Sequence, residues 1–124
     1  MEKPIRILAV DDEESFTFFT KLNLETNPTH DFKIITASSG KEGLRLAKIY
    51  KPDLIGLDVM MPDLSGAEVA EELLLDDRTK NIPITFITAL VKKDSGTGGG
   101  REFMARPVSR EELVKRIEPT LNLN

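Results

Sequence analysis

Apolar and polar positions along this chain repeat on two different periods. Short apolar runs at Ile5–Val10, Phe32–Ala37, Leu54–Leu57, Ile84–Thr88 and Glu102–Ala105 have strand length and the near-continuous character of strands buried on both faces. Pro83 stands at the front of the fourth run, where a missing N–H is tolerated. The intervening segments carry helical spacing over about 10–15 residues. The first predicted helix sets Phe16, Phe19 and Leu22 on one face. The third sets Val69 and Leu73 beside Ala70 and Leu74, and the last sets Leu113 and Ile117 beside Val114. Strands alternating with helices in this way predict βαβ units and a parallel sheet.

Helix starts are marked as well. Ser39-x-x-Glu42, Ser65-x-x-Glu68 and Ser109-x-x-Glu112 each have the spacing of a capping box, with serine reaching forward and glutamate reaching back. One stretch breaks the pattern. In Gly96-Thr97-Gly98-Gly99-Gly100 each glycine costs about 1 kcal/mol in a helix relative to alanine. The fourth helix can therefore hold only about Ala89–Ser95, as one or two turns, or is absent, and Gly96-x-Gly98 reads as a flexible loop. The predicted fold is α/β: a flavodoxin-like doubly wound sheet of five parallel strands in order 2-1-3-4-5. Helices cover both faces, the fourth is reduced, and residues 1–124 form a single domain. Gly56 marks close approach of another backbone, and His30 reads as a solvated loop residue. Glu68, Glu71, Glu72 and Asp76 read as the solvated face of the third helix.

Composition narrows the class. The 124 residues suffice for one domain with a real core, and 40% hydrophobic with 31% charged residues is ordinary for a globular chain. A net charge of −4 with no basic block argues against direct nucleic-acid binding. The absence of cysteine excludes disulfides and thiolate chemistry and fits a reducing cytoplasm. No apolar run has the length of a signal peptide or a membrane span. The expectation is a cytoplasmic domain with no membrane contact.

Candidate chemistry lies at the strand ends. The third strand stops at Asp58 and the first at Asp11-Asp12, and ligands of open α/β sheets sit outside the carboxyl ends of the strands. In the predicted order these two strands are neighbours, so three carboxylates converge. Like charges a few ångströms apart repel by roughly 1–4 kcal/mol at effective dielectrics between 80 and 20. Such a group calls for a hard divalent cation, and a carboxylate site with few protein ligands suits Mg²⁺. The fourth strand brings Thr88, a hydroxyl donor, followed by the small Ala89; the fifth brings Arg106-Pro107, with a permanent positive charge.

Val10-Asp11-Asp12, Asp58 with Pro62, Thr88-Ala89 and a basic residue before Pro107 together resemble the receiver domain of bacterial two-component response regulators, in order and over essentially the whole chain. The resemblance implies that Asp58 is the phosphoacceptor, with Asp12 a direct Mg²⁺ ligand and Asp11 an outer, water-mediated one. It implies that the backbone carbonyl of Met60 completes the protein's metal contacts. Thr88 and Phe103 correspond to the family's switch pair, and Arg106-Pro107 to its cis peptide bond. Implied partners are a sensor histidine kinase or phosphotransfer protein upstream and a further protein or output domain downstream. The family normally carries lysine where this chain has Arg106, and its fourth helix is normally longer. The expectation is ordinary input chemistry with an unusual output surface, and no enzyme activity beyond phosphorylation and dephosphorylation of the domain itself. A phosphorylation-independent pseudo-receiver that serves as a protein-binding module is the alternative. A phosphohydrolase is weaker, because the position two residues after Asp58 is Met60 where those enzymes usually carry a second aspartate.

Overall fold

A computed structural model describes residues 3–88, 97–98, 101–105 and 109–123; for residues 88, 97–98, 101–105 and 110 it describes the backbone. The elements run β1 Ile5–Val10, α1 Glu14–Glu25, β2 Phe32–Ala37, α2 Gly40–Tyr50, β3 Leu54–Leu57, α3 Gly66–Leu75 and β4 Ile84–Thr88, then β5 Thr97–Gly98, β6 Arg101–Ala105 and α4 Arg110–Thr120. The sheet order is β2-β1-β3-β4-β6-β5. β6 is the predicted fifth strand, so the predicted order holds across the parallel part. The departure is β5, a two-residue strand antiparallel to β6 that pairs Thr97 with Glu102 and Gly98 with Arg101. It lies in the glycine-rich stretch expected to be a loop. The proposed fourth helix over Ala89–Ser95 lies outside the described residues.

The strand period of two divides the apolar side chains between two cores. Ile7 and Ala9 of β1 join Leu24, Phe32, Ile34, Leu54, Ile87, Leu113 and Ile117 on the face covered by α1 and α4. Leu8 and Val10 point the other way, toward Ile55, Leu57, Ala47, Val69, Ala70, Leu73 and Phe86 under α2 and α3. Gly56 faces the first of these cores. A Cβ there would lie 3.3 Å from Ile87 Cδ1 and 4.0 Å from the nearest backbone atom, Leu8 O. A side chain, not a neighbouring backbone, therefore occupies the space.

Several predicted faces shift. The buried residues of α1 are Thr17, Thr20 and Leu24, with Phe16 partly buried, while Phe19 and Leu22 are exposed. The threonines turn inward because their hydroxyls are satisfied within the helix: Thr17 Oγ1 donates to Glu14 O and Thr20 Oγ1 to Phe16 O, both at 3.0 Å. That leaves their methyl groups for packing. In α3, Val69, Ala70 and Leu73 are buried as expected, but Leu74 is exposed. Leu113 and Ile117 of α4 are buried, with Val114 packed beside them.

Ser65 and Glu68 complete a reciprocal capping box. At α2, Ser39 accepts from Glu42 N at 3.1 Å, but Glu42 reaches back one residue further, to Ser38 N at 2.7 Å. Ser109 accepts from Glu112 N. Glu68, Glu71 and Glu72 are solvated. Asp76 is instead the C-cap of α3 and is bound by Arg78 at 2.8 Å; the Arg78 side chain holds its carboxyl well below the usual range. His30 is not solvated either: its Nε2 lies 2.8 Å from Glu118 Oε2 of α4, its ring tilts against Phe32, and its side chain is 11% exposed. No helix among the described residues is long and apolar enough to cross a membrane.

Candidate functional site

The carboxyl edge of the sheet gathers the acids. Leu57 closes β3 opposite Val10 of β1, and Asp58 N continues the ladder by donating to Val10 O at 3.0 Å. On the other side of β1, Asp11 N donates to Ala37 O of β2, also at 3.0 Å. These backbone bonds, rather than side-chain packing, set where the two carboxylates emerge. Asp11 is buried at 3% exposure, Asp12 is exposed and Asp58 is intermediate. One carboxylate oxygen from each of Asp11, Asp12 and Asp58 lies within 4.8 Å of the others. The predicted convergence is therefore present.

Each acid is held differently. Asp11 Oδ1 accepts from Glu13 N at 2.8 Å, an Asx turn that orients the buried group as the chain enters α1. Burial pushes the Asp58 carboxyl above its ordinary value; backbone N–H groups of Met60 and Val59 pull it down, and the charges of Asp12 and Glu13 push it up again. A partly desolvated carboxylate among like charges suits a cation, since a positive ion removes the unfavourable terms together. The donor set is all oxygen and offers few protein ligands, which fits a hard cation of the Mg²⁺ class. Asp11, Asp12 and Asp58 are the groups this geometry brings together to hold one.

Two features of the β3–α3 connection were missed in the sequence. Gly66, the first residue of α3, donates from N to Val59 O at 2.8 Å, and a Cβ on it would lie 2.4 Å from Asp58 O. Helix α3 thus starts directly against the Asp58 backbone, an approach that only glycine permits. The signal was available, because a glycine opens this helix straight after its serine cap. Asp63 accepts from Gly40 N and Lys41 N at 2.9 Å each, and these two donors lower its carboxyl below the usual range. No local pattern announces that contact.

Of the remaining expected site residues, Thr88 ends β4 and pairs with Ala105 of β6, and Phe103 pairs with Phe86. These positions set their backbones toward the same region of the sheet; their side chains lie outside the described residues. Ala89, Arg106 and Pro107 lie wholly outside them.

The sequence profile of the response regulator receiver domain matches residues 7–118. The chain belongs to that family. It is 39% identical over 120 residues to the alkaline phosphatase synthesis transcriptional regulatory protein PhoP of Bacillus subtilis, covering 94% of this chain and 48% of that protein. It is 32% identical over 123 residues to Protein PilH of Pseudomonas aeruginosa, covering 94% and 97%. The chain thus spans about half of PhoP and nearly all of PilH. The chemotaxis protein CheY4 of Vibrio cholerae superposes with a TM-score of 0.83 at 27% identity, covering 96% of this chain and 100% of that one. CheY in a complex of CheX, CheY, BeF3 and Mg²⁺ from Borrelia burgdorferi gives 0.75 at 27% identity, covering 94% and 88%. This is a receiver domain of two-component signalling, and receiver domains are signalling domains rather than classical enzymes.

Proposed function

We propose that this receiver domain accepts a phosphoryl group on Asp58 from the phosphohistidine of a sensor histidine kinase or phosphotransfer protein. The single observation that carries the reading is the meeting of Asp11, Asp12 and Asp58 carboxylate oxygens within 4.8 Å at the carboxyl edge of the sheet. An Asp58 oxygen forms the new bond to phosphorus as the P–N bond breaks, and the imidazole nitrogen leaves with the electron pair. Asp12, Asp58 and the Met60 carbonyl would hold Mg²⁺ directly, with Asp11 acting through water. Bound there, Mg²⁺ supplies neutralisation of the charge on the phosphoryl oxygens. The N–H groups of Met60 and Val59 orient the Asp58 carboxylate, and the buried Asp11 keeps the floor of the site negative. The Thr88 hydroxyl and the Arg106 guanidinium serve as donors to the phosphoryl oxygens.

In this reading, phosphorylation biases a two-state switch through Thr88, Phe103 and Pro107. A downstream protein or output domain then reads the altered surface. The domain works in the cytoplasm and binds no nucleic acid itself. The presence of Arg106 in place of lysine favours one second reading, a pseudo-receiver whose binding is independent of phosphorylation, because a guanidinium and an ammonium are not interchangeable at a tight site. Incubation with Mg²⁺ and acetyl phosphate should add one phosphoryl mass to the wild type and none to Asp58→Asn. Wild-type protein left unmodified under conditions that modify a control receiver would overturn the reading in favour of the pseudo-receiver.

A further inference from the structure

We propose that Asp63 is a positioning residue for the acidic site, acting as the clasp of a hydrogen-bonded ring that encircles it. The inference rests on the proposed reading of the site as a Mg²⁺-dependent phosphoacceptor. The ring can be traced bond by bond. Asp58 N binds Val10 O at 3.0 Å, and Asp11, next in the chain after Val10, binds Ala37 O through its N at 3.0 Å. Ala37 leads through Ser38 and Ser39 into Gly40 and Lys41 at the start of α2. Both N–H groups there donate to the Asp63 carboxylate at 2.9 Å. Asp63 returns through the β3–α3 connection to Met60 and Asp58. Its carboxylate is the one side-chain link in this circuit; the others are backbone ladder bonds and covalent chain.

The arrangement is more than a helix cap. Helix α2 already has a local N-cap in Ser39, whose Oγ accepts from Glu42 N at 3.1 Å. Asp63 takes two different N–H groups from 22 and 23 residues away, so its bonds join two elements rather than finishing one. The connection it holds is tied to α3 where Gly66 N binds Val59 O and Ser65 with Glu68 forms the capping box, to Asp58 through the Val59 and Met60 N–H groups, and to the core by Val59, Met61 and Leu64. Only the Asp63 carboxylate ties it to α2 within the ring. Met60 itself stands out from the surface at 64% exposure, so its own side chain does little to fix its carbonyl, although Val59 and Met61 beside it pack against the core. The fit against α2 is also close: a Cβ on Gly40 would lie 2.8 Å from Leu64 Cβ and 3.4 Å from Asp63 Oδ1. Releasing the clasp lets the Met60 carbonyl drift relative to Asp11 and Asp12 while leaving all three acids in place.

Calorimetric titration with Mg²⁺ alone tests this, comparing wild type, Asp63→Ala, Asp63→Asn and Ser39→Ala. Residues that orient ligands without touching the metal typically change its affinity by 10–100-fold. Asp63→Ala should weaken Mg²⁺ binding about tenfold, the lower end of that range. Asp63→Asn, which keeps one acceptor oxygen, should fall between it and wild type. Ser39→Ala removes a cap from the same helix without opening the ring and should bind like wild type. Amide NMR of the metal-free proteins should show Met60 and its neighbours shifted in Asp63→Ala and unmoved in Ser39→Ala. Equal Mg²⁺ affinities for wild type and Asp63→Ala overturn the positioning role and leave the phosphoacceptor reading standing. Equal losses in Asp63→Ala and Ser39→Ala reduce Asp63 to a helix cap. A wild type that binds no Mg²⁺ overturns both proposals together.

Discussion

Replacing Gly66 with alanine is the smallest change that should disturb both fold and site. The new methyl carbon would lie 2.4 Å from Asp58 O and 3.0 Å from Val59 Cα, whereas ordinary contact begins near 3.4 Å. The obstruction is backbone, so no rotamer change relieves it. The φ of Gly66 lies outside the left-handed region, so the penalty is steric rather than conformational. Overpacking of this kind costs about 1–3 kcal/mol. Alanine recovers up to about 1 kcal/mol through its better helix propensity, less at a first helical residue. A net loss of about 1–2 kcal/mol remains, equivalent to roughly a 0.5–1 M fall in urea midpoint for a slope typical of small domains. The structure can also yield by moving α3 or the Asp58 peptide about 1 Å, and a displacement of that size at reacting groups can lower rates about 100-fold. Urea unfolding and the initial rate of labelling by acetyl phosphate with Mg²⁺ measure the two effects. An alanine variant with wild-type midpoint and wild-type rate would refute the claim that α3 starts hard against the Asp58 backbone.

Burial raises the Asp58 carboxyl, so its stabilising contribution is full below the ordinary value of 3.8 and is lost as pH rises through the raised one. Asp58→Asn should therefore raise the denaturation midpoint of the magnesium-free protein at neutral pH, and the gain should vanish in acid; a neutral-pH midpoint at or below wild type would contradict the burial account. Lys51 caps α2 in the left-handed region at φ 46°, where a side chain costs about 1–2 kcal/mol and glycine gives back about 0.5–1 kcal/mol through its freer unfolded chain. Lys51→Gly should then stabilise by about 0.5–1 kcal/mol and Lys51→Val should destabilise, as read by thermal unfolding; a glycine variant less stable than wild type would exclude strain at that cap.

The elements most legible in the sequence were the ones whose environment is uniform. β1, β2, β3 and β4 begin and end where predicted because a strand buried on both faces reads as an uninterrupted apolar run. The acids at the ends of β1 and β3 followed from strand order alone. The face of α1 was misread because threonine counts as polar, yet Thr17 and Thr20 satisfy their hydroxyls within the helix and pack their methyls inward. β5 gave no signal, since glycine carries little strand preference and two residues show no period. His30 with Glu118 and Asp63 with Gly40 are contacts between residues far apart in the chain. Neither lies on a local pattern that a single sequence displays. The switch roles expected of Thr88, Phe103 and Pro107 rest on the family resemblance, whereas the donor roles of Thr88 and Arg106 were read from their chemistry at the strand ends.

The stress at this site is electrostatic rather than conformational. The non-glycine residues with positive φ among those described are Lys51 and Asn122, and neither belongs to the acidic group. What the fold holds instead is three carboxylates with oxygens within 4.8 Å, two of them, Asp11 and Asp58, on backbone that ladder bonds tie to β2 and β1. Anything that removes negative charge there relieves the same stress, whether a divalent cation, a proton on Asp58 or an amide in its place. Effects with a common origin do not add. Magnesium should accordingly stabilise wild type more than it stabilises Asp58→Asn, by a margin that narrows as pH falls. Close contact at Gly66 and the proposed ring closure through Asp63 would then act on different ligands, the first on the Asp58 backbone and the second on the Met60 carbonyl, so that less of a cation's binding is spent on gathering its ligands.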